Sequence, residues 1–146
     1  MLLVLLLCSS VEADSLWPRS EQCCRSLLVS SVSLASREQP LRLGVYRHAG
    51  VMNRRRVYQH QDGRSWLYYY DWGRGHGANW MLGDSPGGQS RGLESINLQG
   101  RALAGQWCPE DLHAARAPWK VLTSGGSWRD DTRLRVECFD PDIARY

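Results

Sequence analysis

Apolar and polar residues alternate along several short stretches of the chain, with the two-residue period that is typical of a half-buried strand. In Arg133–Cys138, Leu134, Val136 and Cys138 point one way, while two arginines and a glutamate point the other way. Leu41–Tyr46 alternates in the same manner. Five further strands are predicted where aliphatic, β-branched or aromatic residues concentrate, at 26–33, 56–60, 66–70, 79–83 and 119–122.

Turn-forming segments separate the predicted strands. Gln61–Ser65 contains an Asp-Gly pair that predicts a hairpin, and the glycine-rich loops Gly73–Asn79 and Asp84–Gly92 flank one strand. Helical signal is confined to Pro109–Ala117, which begins with proline and two acids. The pattern predicts a mainly β protein with little helix, in which a compact antiparallel sheet forms a sandwich-like or barrel-like domain.

The pattern at the N-terminus predicts an export signal. Met1–Cys8 is apolar but too short to span a bilayer, and Val11 and Ala13 are the small residues expected before a cleavage at Asp14. We expect a signal peptide at 1–13, a single module at 14–138 and a tail at 139–146; the alternative is that the N-terminus is a buried strand or helix. No later stretch predicts a membrane span, so the protein is expected to be secreted.

Four cysteines remain after the predicted cleavage, namely Cys23, Cys24, Cys108 and Cys138. Four cysteines allow three pairings, and a bond between the adjacent pair would be strained. Both remaining pairings join the N-terminal pair to Cys108 and Cys138, and each bond closes a long loop that contributes about 4 kcal/mol. We expect disulfides that staple the sheet, since this spacing is poor for zinc.

Composition excludes several classes of protein. The chain has 146 residues, a formal net charge of +3 and seven tryptophans, which fits one folded domain rather than a multidomain enzyme, a coiled coil or a collagen. Lys120 is the only lysine among eighteen basic residues, so arginine supplies the positive charge. Because the excess is small and the chain is expected outside the cell, we expect no nucleic-acid partner.

The order of several short pieces resembles a small extracellular module of secreted and receptor-like animal proteins, which is sometimes present in tandem copies. The resemblance covers Cys23 to Cys138 and implies a secreted binding or structural module. A polar Asn-Gly-Arg-Pro turn of that module is replaced here by Asn53–Arg56. The matching pieces are Cys23-Cys24, Gly44–Tyr46, Val57–His60, Trp66–Tyr70, Trp80–Gly83, Cys108-Pro109, Trp119, Trp128, Asp131 and Leu134–Cys138.

Aromatic side chains along one predicted strand form the first candidate ligand-binding site. Trp66, Tyr68, Tyr70 and Trp72 share one face of the strand, and Leu67 lies on the other. If Leu67 faces the core, the four rings form an exposed row that can stack on sugar rings or anchor a protein partner. The alternative is that these rings fill the core, because the chain has a single phenylalanine.

Three consecutive arginines, Arg54, Arg55 and Arg56, form the second candidate site. They are predicted to lie in a solvated turn, where they can bind a sulfated glycan, a phosphate or an acidic protein. The alternative is a solvated turn without a binding role.

No catalytic residues, metal ligands or cofactors are predicted. His48 and His60 are candidate neighbours across a hairpin, but the chain has neither an HExxH nor a GxSxG motif. The leading hypothesis is a secreted, non-enzymatic module that binds an extracellular protein or glycan, with anionic partners included. The alternatives are a small secreted hydrolase and a structural component of matrix or mucosa.

Overall fold

Antiparallel strands form one sheet in residues 22–98, 108–114 and 118–139, the part of the chain that the computed structural model describes. The predicted signal peptide at 1–13 and the tail beyond Phe139 lie outside these residues. In the described residues the sheet has nine strands, in the order β8-β7-β6-β5-β4-β3-β2-β1-β9. The strands are β1 (Ser26–Ser30), β2 (Gly44–Met52), β3 (Arg55–His60), β4 (Trp66–Asp71), β5 (Ala78–Gly83), β6 (Arg91–Ser95), β7 (Trp119–Leu122), β8 (Trp128–Asp130) and β9 (Arg135–Cys138).

Helical structure is short in the described residues. It consists of helix α1 (Leu34–Glu38) and two 3₁₀ turns, Pro40–Arg42 and Pro109–Ala114. None of these helices has the length and apolar character that crossing a bilayer requires. The fold is therefore mainly β with little helix, as the sequence predicts.

The sheet curls around its own core. Strands β1 to β8 pair with their neighbours in sequence, and β9 returns to pair with β1. Leu27 and Val29 of β1 nevertheless share one hydrophobic cluster with Trp119 and Val121 of β7. Strands so far apart in a sheet can share a core only if the sheet bends back on itself.

A buried carboxylate joins the β8 edge of the curled sheet to the segment that follows β1. Asp131 follows β8 and is 1% exposed. Its Oδ2 accepts hydrogen bonds from Ser31 Oγ at 2.7 Å and from Ala35 N at 2.8 Å, both in the segment after β1. Its Oδ1 accepts from Arg133 N at 2.9 Å. One side chain thus joins the β8 end of the sheet to the segment between β1 and β2.

Two disulfides pair Cys23 with Cys108 and Cys24 with Cys138. This selects one of the two pairings that the sequence left open. Glu110 Oε1 also accepts a hydrogen bond from Cys24 N at 2.8 Å, and the Tyr58 hydroxyl donates to Cys24 O at 2.9 Å. The adjacent cysteines are therefore held both to the 109–114 turn and to the last strand.

Most predicted strands are present, and the exceptions have local causes. Pro40 opens a 3₁₀ turn, so the alternation at Leu41–Tyr46 does not form a strand along its whole length and Leu41 is exposed. Strand β2 starts at Gly44, where an added Cβ would lie 2.7 Å from His60 Nε2. Helix α1, β6 and β8 were not predicted, because each has five residues or fewer and a weak period.

Candidate functional site

The outer face of β4 carries the predicted aromatic row, but only part of this row is exposed. Leu67 and Tyr69 pack in the main core, as expected. On the opposite face, Tyr68 lies in a second hydrophobic cluster with Val57 and Met81, and it has no exposed surface. Tyr68 therefore follows the alternative, in which these rings are buried, and does not belong to an exposed row. Trp66 and Tyr70 pack against the second cluster and are partly exposed.

The segment Asp84–Ser90 covers Tyr68. The Tyr68 hydroxyl donates a short hydrogen bond to Gly88 O, and burial raises the pKa of this hydroxyl. Gln89 Nε2 donates to the Tyr70 hydroxyl at 3.0 Å. The segment is anchored at its start by Asp84, whose carboxylate pairs with Arg42 at 2.8 Å. The middle of the outer face is thus closed, and the end near Trp72 stays open.

Four side chains near that open end form what we call the aromatic–arginine cluster: Tyr70, Trp72, Arg91 and Trp128. The Tyr70 and Trp72 rings meet edge to face with centroids 4.7 Å apart. The Arg91 guanidinium carbon lies 5.5 Å from the Trp72 ring centroid and 5.2 Å from that of Trp128. Both distances fall within the range of a cation–π contact. Strands β4, β6 and β8 therefore contribute to one surface.

The Trp72 ring is both exposed and fixed in orientation. It is 37% exposed, yet its Nε1 donates a hydrogen bond to Asn79 Oδ1 at 2.7 Å. Asn79 is buried, and its Nδ2 donates to Ser95 O at 2.6 Å. A ring held in this way loses little side-chain entropy when a ligand stacks on it.

Charges of opposite sign lie beside the cluster. Arg91 Nε donates to Glu94 Oε2 at 2.7 Å, and Arg91 Nη1 donates to Gln89 O at 3.0 Å. In the sheet register Glu94 lies opposite Lys120, which in turn lies opposite Asp130. Leu93 and Val121 point into the core, so their neighbours Glu94 and Lys120 point outwards. These four residues, Arg91, Glu94, Lys120 and Asp130, therefore carry two positive and two negative charges.

The three consecutive arginines are divided between a turn and a strand. Asn53 and Arg54 have φ values of 51° and 61° and form the two-residue turn of the β2–β3 hairpin, in which Arg54 is exposed. Arg55 and Arg56 belong to β3 and are 8% and 7% exposed. The prediction that all three lie in a solvated turn is wrong for these two, because the hairpin turn needs only two residues.

The two buried arginines lie near tyrosine side chains of the sheet. The Arg55 guanidinium carbon is 4.2 Å from the Tyr69 ring centroid, and burial lowers the pKa of Arg55 while Tyr69 opposes that shift. Burial raises the pKa of Tyr58, with a further contribution from Glu110, while Arg56 opposes it. These groups join β3 and β4 to the interior and do not form a surface patch.

His48 and His60 do not meet across the β2–β3 hairpin, although the sequence makes them candidate neighbours there. His60 lies opposite Tyr46, and His48 lies opposite Tyr58, so the two histidines are not direct neighbours. His60 Nδ1 is 3.0 Å from Asp62 Oδ1, and its Nε2 is 2.7 Å from Leu43 O. The groups of potential metal ligands in the described residues each consist of Glu110 and two cysteines that already share a disulfide.

Sequence reasoning missed Arg91 and Trp128 as members of the site. Neither lies in the aromatic run, and each belongs to a short strand that was not predicted. The available signal was the spacing of Trp119 and Trp128 around the Ser124–Ser127 turn. A hairpin there would have placed a second tryptophan on the sheet.

No protein-family model, curated protein or solved structure matches the chain.

Proposed function

We propose that this chain is a secreted, non-enzymatic binding module that recognises an extracellular glycan or protein through the aromatic–arginine cluster. The observation that carries the proposal is the exposed Trp72 ring, which is fixed by a buried asparagine and shares one guanidinium with Trp128. Fixed, exposed aromatic rings beside an arginine are the residues that contribute most to recognition surfaces.

The disulfides support the proposed compartment. Bonds that join Cys23 to Cys108 and Cys24 to Cys138 form and persist in an oxidising environment. The proposal includes cleavage of the signal peptide before Asp14. Expression of the full chain in a eukaryotic cell line and sequencing of the secreted N-terminus test this part, and retention of the chain inside the cells contradicts it.

Binding is tested with the purified, labelled protein on decellularised extracellular matrix. We expect saturable binding that weakens by about tenfold or more in Trp72→Ala, because this substitution removes the exposed ring of the cluster. Phe139→Ala is the matched control, since Phe139 is 41% exposed and follows β9, outside the aromatic–arginine cluster. Equal binding by the wild type and Trp72→Ala would overturn the proposal. Pretreatment of the matrix with glycosidases or with a protease then assigns the ligand to a glycan or a protein.

A further inference from the structure

We infer that the ligand of the aromatic–arginine cluster is a neutral saccharide. This inference rests on the proposed function and narrows it to one class of ligand. The charges and hydrogen-bonding groups beside the rings match uncharged hydroxyl groups better than an anion. Three features of the outer face carry the argument: its charge balance, its remaining donors and acceptors, and the fixed rings.

Charge balance argues against an anionic ligand. Arg91 is paired with Glu94 at 2.7 Å, and both side chains are mostly buried. The next outward residues across the sheet are Lys120 and Asp130, again of opposite sign. Arg55 and Arg56, which would have strengthened a positive patch, are buried in β3. An anion placed beside the rings would meet Glu94 and Asp130 as well as Arg91 and Lys120, so these four groups together give it little net attraction.

The Arg91–Glu94 pair keeps a donor group, Arg91 Nη2, and an acceptor, Glu94 Oε1, for a ligand. Arg91 uses Nε and Nη1, and within the described part of the chain its Nη2 donates no hydrogen bond. Glu94 accepts through Oε2, and its Oε1 has no partner among the same residues. A planar donor beside a planar acceptor fits a saccharide, because each hydroxyl group can both donate and accept.

The rings supply the apolar part of the recognition. One face of a sugar ring presents C–H groups, which pack well on an indole, and Trp72 is the exposed indole of the cluster. Tyr70 meets Trp72 edge to face, and Asn79 fixes the Trp72 ring through Nε1. Stacking therefore takes place on a surface already in its bound orientation, with Arg91 and Glu94 beside it to select hydroxyl positions.

The experiment is affinity gel electrophoresis of the intact, oxidised protein with four neutral polysaccharides (laminarin, mannan, galactomannan and dextran) and with heparin as the anionic probe. We expect retardation by at least one neutral polysaccharide and none of comparable strength by heparin. The affinity for that polysaccharide, measured by titration calorimetry, should change less than twofold between about 0.1 M and about 1 M NaCl, where the Debye length falls from about 10 Å to about 3 Å.

Two substitutions separate stacking and hydrogen bonding from simple charge attraction. Trp72→Ala should weaken binding by about tenfold or more. Arg91→Lys keeps the charge but loses the planar guanidinium, so binding of a neutral saccharide should also fall by about fivefold or more. Phe139→Ala should bind as the wild type does. Urea unfolding of each variant establishes that it remains folded under the binding conditions.

Other outcomes overturn the inference in distinguishable ways. Retardation by heparin that is lost in 1 M NaCl, survives Arg91→Lys and is weakened by Trp72→Ala shows that the cluster binds an anion, so the inference fails while the proposed function stands. Retardation by none of the polysaccharides also overturns the inference, and the matrix assay with Trp72→Ala then decides whether a protein ligand preserves the proposed function. If Trp72→Ala has no effect in either assay, both fail.

Discussion

The two disulfides are coupled, because their cysteines are adjacent at one end of the chain. We consider three variants: Cys23/Cys108→Ala, Cys24/Cys138→Ala and the quadruple alanine variant. The sequence separations that the bonds close are 85 and 114 residues. With these separations, either bond taken alone restricts the unfolded chain by about 4.7 kcal/mol in the loop-entropy model, slightly more than the rounded value of about 4 kcal/mol expected from the sequence.

The coupling follows from the connectivity. When one bond is intact, it already brings Cys23 and Cys24 next to one distant cysteine, so the other bond closes a loop of only about 30 residues, the stretch between Cys108 and Cys138. In the same model this closure contributes about 4 kcal/mol. Removing either bond first should therefore lower the free energy of unfolding by about 4 kcal/mol. Removing the remaining bond should then lower it by about 5 kcal/mol more.

The measurement is urea unfolding without reductant, monitored by tryptophan fluorescence. The wild type and the three variants are measured in the same concentration of sucrose, which stabilises folded proteins. A double-mutant cycle on the two bonds isolates the coupling. The lost packing of the buried sulfurs of Cys23, Cys24 and Cys108 cancels between the pair variants and the quadruple variant. If the quadruple loss equals the sum of the two pair losses, or falls below it, the loop-entropy reasoning is refuted.

Three further predictions concern the strands and loops around the site. Gly83→Ala should destabilise the fold by about 1–3 kcal/mol in urea unfolding, because its Cβ would lie 2.4 Å from the Ser90 carbonyl oxygen; Gly125→Ala, where the nearest atom is 3.9 Å away, is the control and should change little. Arg54→Gly should stabilise the protein by about 1 kcal/mol, measured as the shift in urea midpoint, because Arg54 has a φ of 61°, and a lower midpoint contradicts that reasoning. Hydrogen bonds from an arginine and a serine lower the pKa of Asp84. The contribution of Asp84 to stability is therefore complete above the ordinary carboxyl pKa and is lost as the pH falls through the lowered value. Asp84→Asn should lose less stability than the wild type between about pH 5 and pH 2, and identical pH profiles would contradict this.

The alternation of apolar and polar residues predicts much of the fold, whereas much of the site depends on how the sheet curves in space. The alternation at Arg133–Cys138 correctly placed Leu134 and Val136 in the core, since period-2 patterning depends only on neighbours in sequence. The same pattern separated the two faces of β4. It could not show that Asp84–Ser90 folds over Tyr68, because that contact depends on the register between β5 and β6 and on a bulge there.

The arginine run shows a second limit of sequence reasoning. Three consecutive arginines have no apolar pattern, so a solvated turn was the natural prediction. The structure instead uses Asn53 and Arg54 as a two-residue turn and begins β3 directly at Arg55. The Arg55 guanidinium is buried against the Tyr69 ring of β4, which lies on another strand and outside any local window of the arginine run.

The disulfide connectivity also bears on what happens when the protein is cut by a protease. Any single cut in a loop between Cys24 and Cys138 leaves the two fragments joined by at least one disulfide. Two cuts, one on each side of Cys108, still leave three fragments in one covalent molecule. The sheet hydrogen bonds, such as the bond from Phe139 N to Ser26 O at 3.0 Å, would then hold the cut strands in register. A nicked molecule can thus keep its strands together after limited proteolysis, and nicking would become visible on a gel only after reduction.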